Sequence, residues 1–201
     1  QLIMSNINSL FATPLQTTIS PLGLIDVELK KHAYKLKEEN NSNEITSQKG
    51  FQSLIYNHRD YLITKNFWDV NIDTIRNYLS HYEINQNFDF NSNEIWFNIN
   101  PKYSYLNTHT HCNCDFSGVY YVEVPKGSGD IVFENPNPVM LNKGFYQGQF
   151  NNNEFNSNAF RITPRDNMLI LFPSYLPHRV EQNLSEKDRI SVSFNINISF
   201  K

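Results

Sequence analysis

Arg189-Ile190-Ser191-Val192-Ser193-Phe194-Asn195-Ile196 is the stretch whose reading decides the fold. Polar and apolar residues alternate without a break, so Arg189, Ser191, Ser193 and Asn195 face one way while Ile190, Val192, Phe194 and Ile196 face the other. That is the period of a strand with one face in a core. Inside a barrel that holds a small anion, a guanidinium on the polar face binds a carboxylate through two parallel hydrogen bonds, and a nearby hydroxyl adds a third. The plainer reading is an edge strand with Arg189 in solvent.

Upstream, the same grammar recurs. Short runs rich in Ile, Val, Phe and Tyr, separated by Asn, Pro and Gly clusters, mark strands at Glu94–Asn100, Phe116–Val124, Gly129–Phe133, Gly144–Gln149, Ala159–Ile162, Asn167–Phe172, His178–Gln182 and Arg189–Phe200. Eight short antiparallel strands at this spacing predict a jelly roll or the related double-stranded β-helix. Lys126-Gly127-Ser128-Gly129 reads as a hairpin turn between two of them, and the Asn-rich patch at 151–158 as a surface loop. Before residue 85 helical patterns dominate. Ser20-Pro21 marks a turn, after which Ile25, Leu29, Ala33 and Leu36 line an amphipathic helix ending near Glu39-Asn40. A polar loop spans 40–50, and a second helix over Phe67–Tyr82 buries Val70, Ile72, Ile75, Tyr78 and Leu79. The fold class is therefore mainly β (α+β), one domain over 1–201. A helical part (1–85) flanks a jelly-roll or cupin-like double-stranded β-helix (86–201).

Composition removes several function classes. With 201 residues, a net charge of −3 and scattered Lys and Arg, there is no basic field for nucleic acid. No apolar run approaches the roughly 18 residues of a membrane span, and no leader pattern opens the sequence. A soluble, cytoplasmic protein is expected. Cys112 and Cys114, two apart, are too close for an easy disulfide.

The chemistry gathers in Asn107-Thr108-His109-Thr110-His111 and Pro177-His178. On an extended strand, i and i+2 share a face, so His109 and His111 present two imidazoles to one ion. His178, between two strand-like runs, closes the triangle from a distance. Three ligands on one side leave positions open for substrate and oxygen, the arrangement of non-haem Fe(II) oxygenases. Taken alone, the pair reads equally well as two exposed strand-end histidines, and His178 as a structural residue. Structural zinc on His109, His111, Cys112 and Cys114 fits poorly, because such sites take paired ligands from two separated knuckles. Of Tyr120 and Tyr121, Tyr121 shares parity with Ser117 and Val119 and is the one expected to face the pocket.

The run from Asn107 through Pro125, then Gly129–Pro136, Phe172–His178 and Arg189–Asn195, resembles the small 2-oxoglutarate/Fe(II)-dependent oxygenases common in phages and marine bacteria. Gly50-Phe51-Gln52-Ser53 is similar to a Gly-Trp-Gln-Ser element in that family's N-terminal half. The resemblance covers most of the chain. It implies Fe(II), 2-oxoglutarate and O2 as cofactor and co-substrates, with Arg189 and Ser191 on the 2-oxoglutarate; Tyr121 joins them there through its pocket-facing parity. It also implies hydroxylation of an amino-acid or peptidyl substrate, prolyl among the candidates, with release of succinate and CO2. One departure matters: the wider superfamily has His-x-Asp/Glu where this chain has His109-Thr110-His111. Either three imidazoles hold the iron, the assignment favoured here, or Asp115 curls back to supply a carboxylate. With the 2-oxoglutarate dianion bound, a three-histidine Fe(II) centre is neutral overall. The alternative from another class is a cupin-like metal- or ligand-binding protein without oxygenase activity.

Overall fold

The computed structural model describes residues 12–42, 47–84, 87–137 and 157–200. The elements, in order, are β1 (Gln16–Ile19), α1 (Leu24–Glu38), β2 (Ser47–Gln48), β3 (Phe51–Gln52), α2 (Leu62–Ser80), β4 (Phe88–Asn100), β5 (Tyr105–His109), β6 (Phe116–Glu123), β7 (Ile131–Glu134), β8 (Ala159–Ile162), β9 (Met168–Pro173), β10 (His178–Val180) and β11 (Arg189–Phe200). The expected strand at Gly144–Gln149 lies outside the described residues, as does most of the 151–158 patch.

Two antiparallel sheets face each other: a six-stranded one ordered β1-β9-β6-β11-β4-β3 and a five-stranded one ordered β2-β5-β10-β7-β8. From β4 to β11 the chain passes between them, and β9-β6-β11-β4 of the first sheet with β5-β10-β7-β8 of the second form the double-stranded β-helix. This passage overturns the hairpin expected at Lys126–Gly129. β6 belongs to one sheet and β7 to the other, so the loop crosses between layers. Gly129 is there for close approach: at φ +88°, an added Cβ would sit 2.4 Å from the Glu181 carbonyl oxygen.

β11 has the alternation of its sequence. Ile190, Val192, Phe194 and Ile196 are fully buried against α1 and α2, joined by Ile95, Phe97 and Ile99 of β4 and by Leu29, Ala33 and Leu36 of α1. Phe194 lies over Gly118, its partner on β6, and meets Phe67 and Trp68 edge-on. A Cβ on Gly118 would come within 2.3 Å of that ring. Helix α2 starts five residues earlier than its pattern suggests and turns Val70 outward, 52% exposed, while Phe67, Trp68, Ile75, Tyr78 and Leu79 pack inward. Aromatic residues at 67 and 68 define the buried stripe, and Val70 falls off it. The second cluster, including Val119, Tyr121, Phe133, Ile170 and Phe172, fills the space between the sheets. No helix among the described residues is long and apolar enough to cross a membrane.

Candidate functional site

Register across β4, β11 and β6 sets the site's floor. Directly opposed residues of antiparallel neighbours face the same side, so three rows cross the inner face of the large sheet. They are Glu94–Asn195–Ser117, Trp96–Ser193–Val119 and Asn98–Ser191–Tyr121, and Asn100 sits opposite Arg189 at the far end. The small sheet supplies the roof. Its register places His178, the first residue of β10, directly opposite His109, the last of β5. A pocket between the layers is lined by Trp96, Asn98, Asn100, His109, His111, Tyr121, His178, Arg189, Ser191 and Ser193, together with apolar residues such as Leu106 and Phe172.

The three histidines converge, with one ring nitrogen from each lying within 4.8 Å of the others. Ring centroids are 4.3 Å apart for His109 and His178, 5.1 Å for His111 and His178, and 5.3 Å for His109 and His111. His111 does not share a strand with His109, since β5 ends at His109. An irregular segment carries His111, pinned where its backbone N–H donates to the Ser174 carbonyl at 3.0 Å. Thus the two imidazoles meet through the loop after β5 rather than through strand parity.

Hydrogen bonding assigns the nitrogens. His109 Nδ1 is 2.8 Å from the Asn107 carbonyl oxygen, and His178 Nδ1 is 3.0 Å from that of Leu176. A carbonyl only accepts, so both Nδ1 atoms carry the proton and both Nε2 atoms keep a lone pair. His111 Nδ1 lies 2.6 Å from Asn195 Oδ1 and 2.9 Å from Ser117 Oγ. Burial first, and then the neighbouring His109, hold the His178 ring down to about 3. Burial also lowers His111, with the hydrogen bond to Asn195 opposing the shift. Neutral imidazoles with Nδ1 tied and Nε2 bare are the form that binds a divalent ion.

Asp115, the alternative ligand, is turned away. Its Oδ2 accepts the Ile198 N–H at 2.7 Å, and it has no place in the histidine cluster. Cys112 is exposed, and the half-buried Cys114 faces Ser117 and the His111 carbonyl.

At the other end, Arg189 is only 1% exposed. Its Nη1 donates to the carbonyl of Ser128 at 2.6 Å and, more weakly, to that of Gly129 at 3.4 Å. Among the described residues no carboxylate pairs with it, and burial alone pulls its pKa below the usual guanidinium value. An unpaired cation in a dry pocket is costly unless an anion joins it. Tyr121, beside it, is pushed up to about 12, mostly by burial, and so presents a phenolic O–H. Asn98 Oδ1 and Ser128 Oγ are buried without a hydrogen-bond partner, while Asn98 Nδ2 donates to Ser193 Oγ at 3.0 Å.

Ser191 and Tyr121 thus line the same pocket as Arg189. Ser193 and Asn195 were placed on the polar face of β11 by its alternation but given no role, and Asn98, Trp96 and Glu94 were not singled out in the sequence. The parity of the Glu94–Asn100 strand was a usable signal for those on β4, since Ile95, Phe97 and Ile99 all point to the core.

Residues 94–195 match the family described as "Putative 2OG-Fe(II) oxygenase". Among curated proteins, none matches the sequence. Solved structures share the fold. A Pseudomonas putida prolyl-4-hydroxylase has a TM-score of 0.61 at 14% identity, covering 90% of this chain and 91% of its own. A prolyl hydroxylase in complex with a hypoxia-inducible-factor oxygen degradation domain peptide fragment, from Trichoplax adhaerens, has 0.59 at 14%, covering 90% and 83%. HygX from Streptomyces hygroscopicus, with nickel and 2-oxoglutarate bound, has 0.60 at 11%, covering 92% and 83%.

Proposed function

Because the chain belongs to the 2OG-Fe(II) oxygenase family, we propose that His109, His111 and His178 hold its Fe(II) and that Arg189, with Ser191 and Tyr121, binds the distal carboxylate of 2-oxoglutarate. The observation that carries this reading is a pairing within one pocket. Three imidazoles with committed Nδ1 protons share it with a buried guanidinium that has no acid of its own among the described residues. The donor set suits a divalent ion, and the unpaired cation suits a dianion. When bound, iron and 2-oxoglutarate supply the coupled chemistry of the family: decarboxylation of the 2-oxo acid to succinate and CO2, with an oxygen atom from O2 transferred to a C–H bond.

The chain's own residues orient and enclose. Backbone carbonyls of Asn107 and Leu176 lock two rings, Arg189 sets the depth of the co-substrate, and the apolar walls at Leu106, Val119, Ile131 and Phe172 keep water from the reacting atoms. Trp96, His109 and His111 are half-exposed at the mouth, where a second substrate has access. The substrate in this reading is an amino-acid or peptidyl side chain, prolyl among the candidates. That choice draws on the prolyl hydroxylases sharing the fold and is an analogy of architecture. The test measures succinate release from 2-oxoglutarate under Fe(II) and O2 with prolyl peptides, other peptides and free amino acids. Substrate-stimulated succinate, with a product 16 mass units heavier, is expected. Absence of succinate from a protein that binds both Fe(II) and 2-oxoglutarate would favour a ligand-binding barrel instead.

A further inference from the structure

We propose that Glu94 and Asn195 are positioning residues for the metal, acting through His111, and that Glu94 supplies from one hydrogen bond further out the negative charge a carboxylate ligand would bring. The inference rests on the reading of His111 as a ligand. Its basis is the row Glu94–Asn195–Ser117, side by side on β4, β11 and β6 beneath the His111 ring.

The row has only one consistent direction. Glu94 bonds to Asn195, and its carboxylate can only accept, so the amide nitrogen of Asn195 faces it. That places Asn195 Oδ1 toward the histidine, 2.6 Å from His111 Nδ1 and 2.9 Å from Ser117 Oγ. Oδ1 also only accepts. The His111 proton therefore sits on Nδ1, the Ser117 hydroxyl donates into the same oxygen, and Nε2 is left bare. Asn195 is 95% buried and Ser117 fully so, and neither has another rotamer's worth of solvent to turn into.

His111 differs from its two companions in this respect. His109 and His178 donate to main-chain carbonyls, neutral acceptors that any sequence supplies. His111 alone depends on side chains, and its acceptor leads on to a charge. A carboxylate drawing on one end of an amide makes the other end a stronger acceptor, which raises electron density at the far ring nitrogen. The device stands at the position where the wider superfamily has Asp or Glu in direct contact with the iron.

The test uses the full chain and Co(II) without 2-oxoglutarate, followed by its visible absorption, and ¹⁵N spectra of the histidine rings in metal-free protein. Glu94→Gln and Asn195→Ala are each expected to weaken Co(II) by about 10- to 100-fold, the range for lost outer partners of ligating histidines. Glu134→Gln, on a half-buried acid bonded to Thr108 and paired with Arg179, should leave Co(II) affinity alone. In Glu94→Gln the His111 ring should show a second population protonated at Nε2, which a merely structural loss would not produce. Combining Glu94→Gln with Asn195→Asp exchanges amide and carboxylate, keeps an acceptor against His111, and should restore both affinity and tautomer. Glu94→Gln preserves shape, so its result stands whether or not Asn195→Ala folds. The relay is overturned if both single variants bind Co(II) within about twofold of wild type while His111→Ala loses it. If His111→Ala binds Co(II) as the wild type does, the ligand assignment itself fails.

Discussion

The two faces of the six-stranded sheet are built from the same strands to opposite standards. Facing the helices, β11 presents Ile190, Val192, Phe194 and Ile196, fully buried in a cluster of apolar and aromatic residues. Facing the small sheet, the alternate residues are an unpaired guanidinium, two serines and an amide tied to an acid. The first face contributes stability and would work with any well-packed set of similar volume. The second costs stability, because it buries polar groups and leaves Asn98 Oδ1 and Ser128 Oγ without partners. That contrast separates fold from function along a single strand: truncating one face should unfold the protein, and truncating the other should silence it.

The largest expected effect is on the roof above the polar face. His178→Ala or His109→Ala should abolish binding of about one equivalent of Fe(II), measured anaerobically. His111→Ala should do the same and Asp115→Ala should not; the reverse pair of results would move the third ligand to Asp115. Phe194→Ala breaks the apolar face. It should cost about 3–5 kcal/mol in urea unfolding, as for buried aromatic truncations, and whatever folded protein remains should bind Fe(II) normally. If metal affinity fell along with stability, the two faces would not be separable. Arg189→Ala sharpens the contrast from the other side. Loss of a buried charge-assisted pair is worth roughly 2–5 kcal/mol, so 2-oxoglutarate binding by anaerobic calorimetry should weaken about 30-fold or more. Stability without co-substrate should hold or rise, since an uncompensated buried cation has been removed. Arg189→Lys should recover only part of the affinity, lacking the fork.

Smallest is a pH effect. His178 is held down to about 3 in the fold, chiefly by burial, against an ordinary value near 6.5 in the unfolded chain. The unfolded state therefore takes up the proton first. This group's stabilising contribution is complete above about 6.5 and is lost as pH falls from there toward 3. Metal-free protein should melt at progressively lower temperature on acidification through that window, and His178→Gln should flatten the slope. Equal slopes would mean the His178 ring is not shielded as its burial indicates.

What could be read in advance follows the same division. β8 and β11 matched their expected spans, and β4, β6 and β9 came within a few residues of theirs or extended beyond them; β4, β6, β9 and β11 each alternate or run apolar over enough residues to show a period. β5, Tyr-Leu-Asn-Thr-His, is mostly polar, and it exists because β2 and β10 pair with it. β1, β2 and β3 have two to four residues each, too few to show any period. The Lys126–Gly129 loop looked like a hairpin because glycines mark tight turns and close approaches alike, and only the sheet assignment distinguishes them. That His109, His111 and His178 come together and that Arg189 lines the same pocket could be anticipated from residue type, though not from the strand parity expected of His109 and His111. The contact of Asn195 with Glu94 could not: 101 residues apart in sequence, they become neighbours only through the β4–β11 register. Reading that pair needs the pairing itself, which no local pattern encodes.

In the proposed reading β11 carries both ends of the site, the anion anchor at Arg189 and the partner of His111 at Asn195, so one strand would act as a gauge for the co-substrate. Its backbone, hydrogen-bonded on both sides by β4 and β6, sets the span between Asn195 and the guanidinium, and no exchange of surface side chains can lengthen it. A 2-oxo diacid one methylene shorter or longer is expected to reach one end and miss the other, competing poorly with 2-oxoglutarate in binding assays. Equal affinity for all three lengths would show that the gauge has slack.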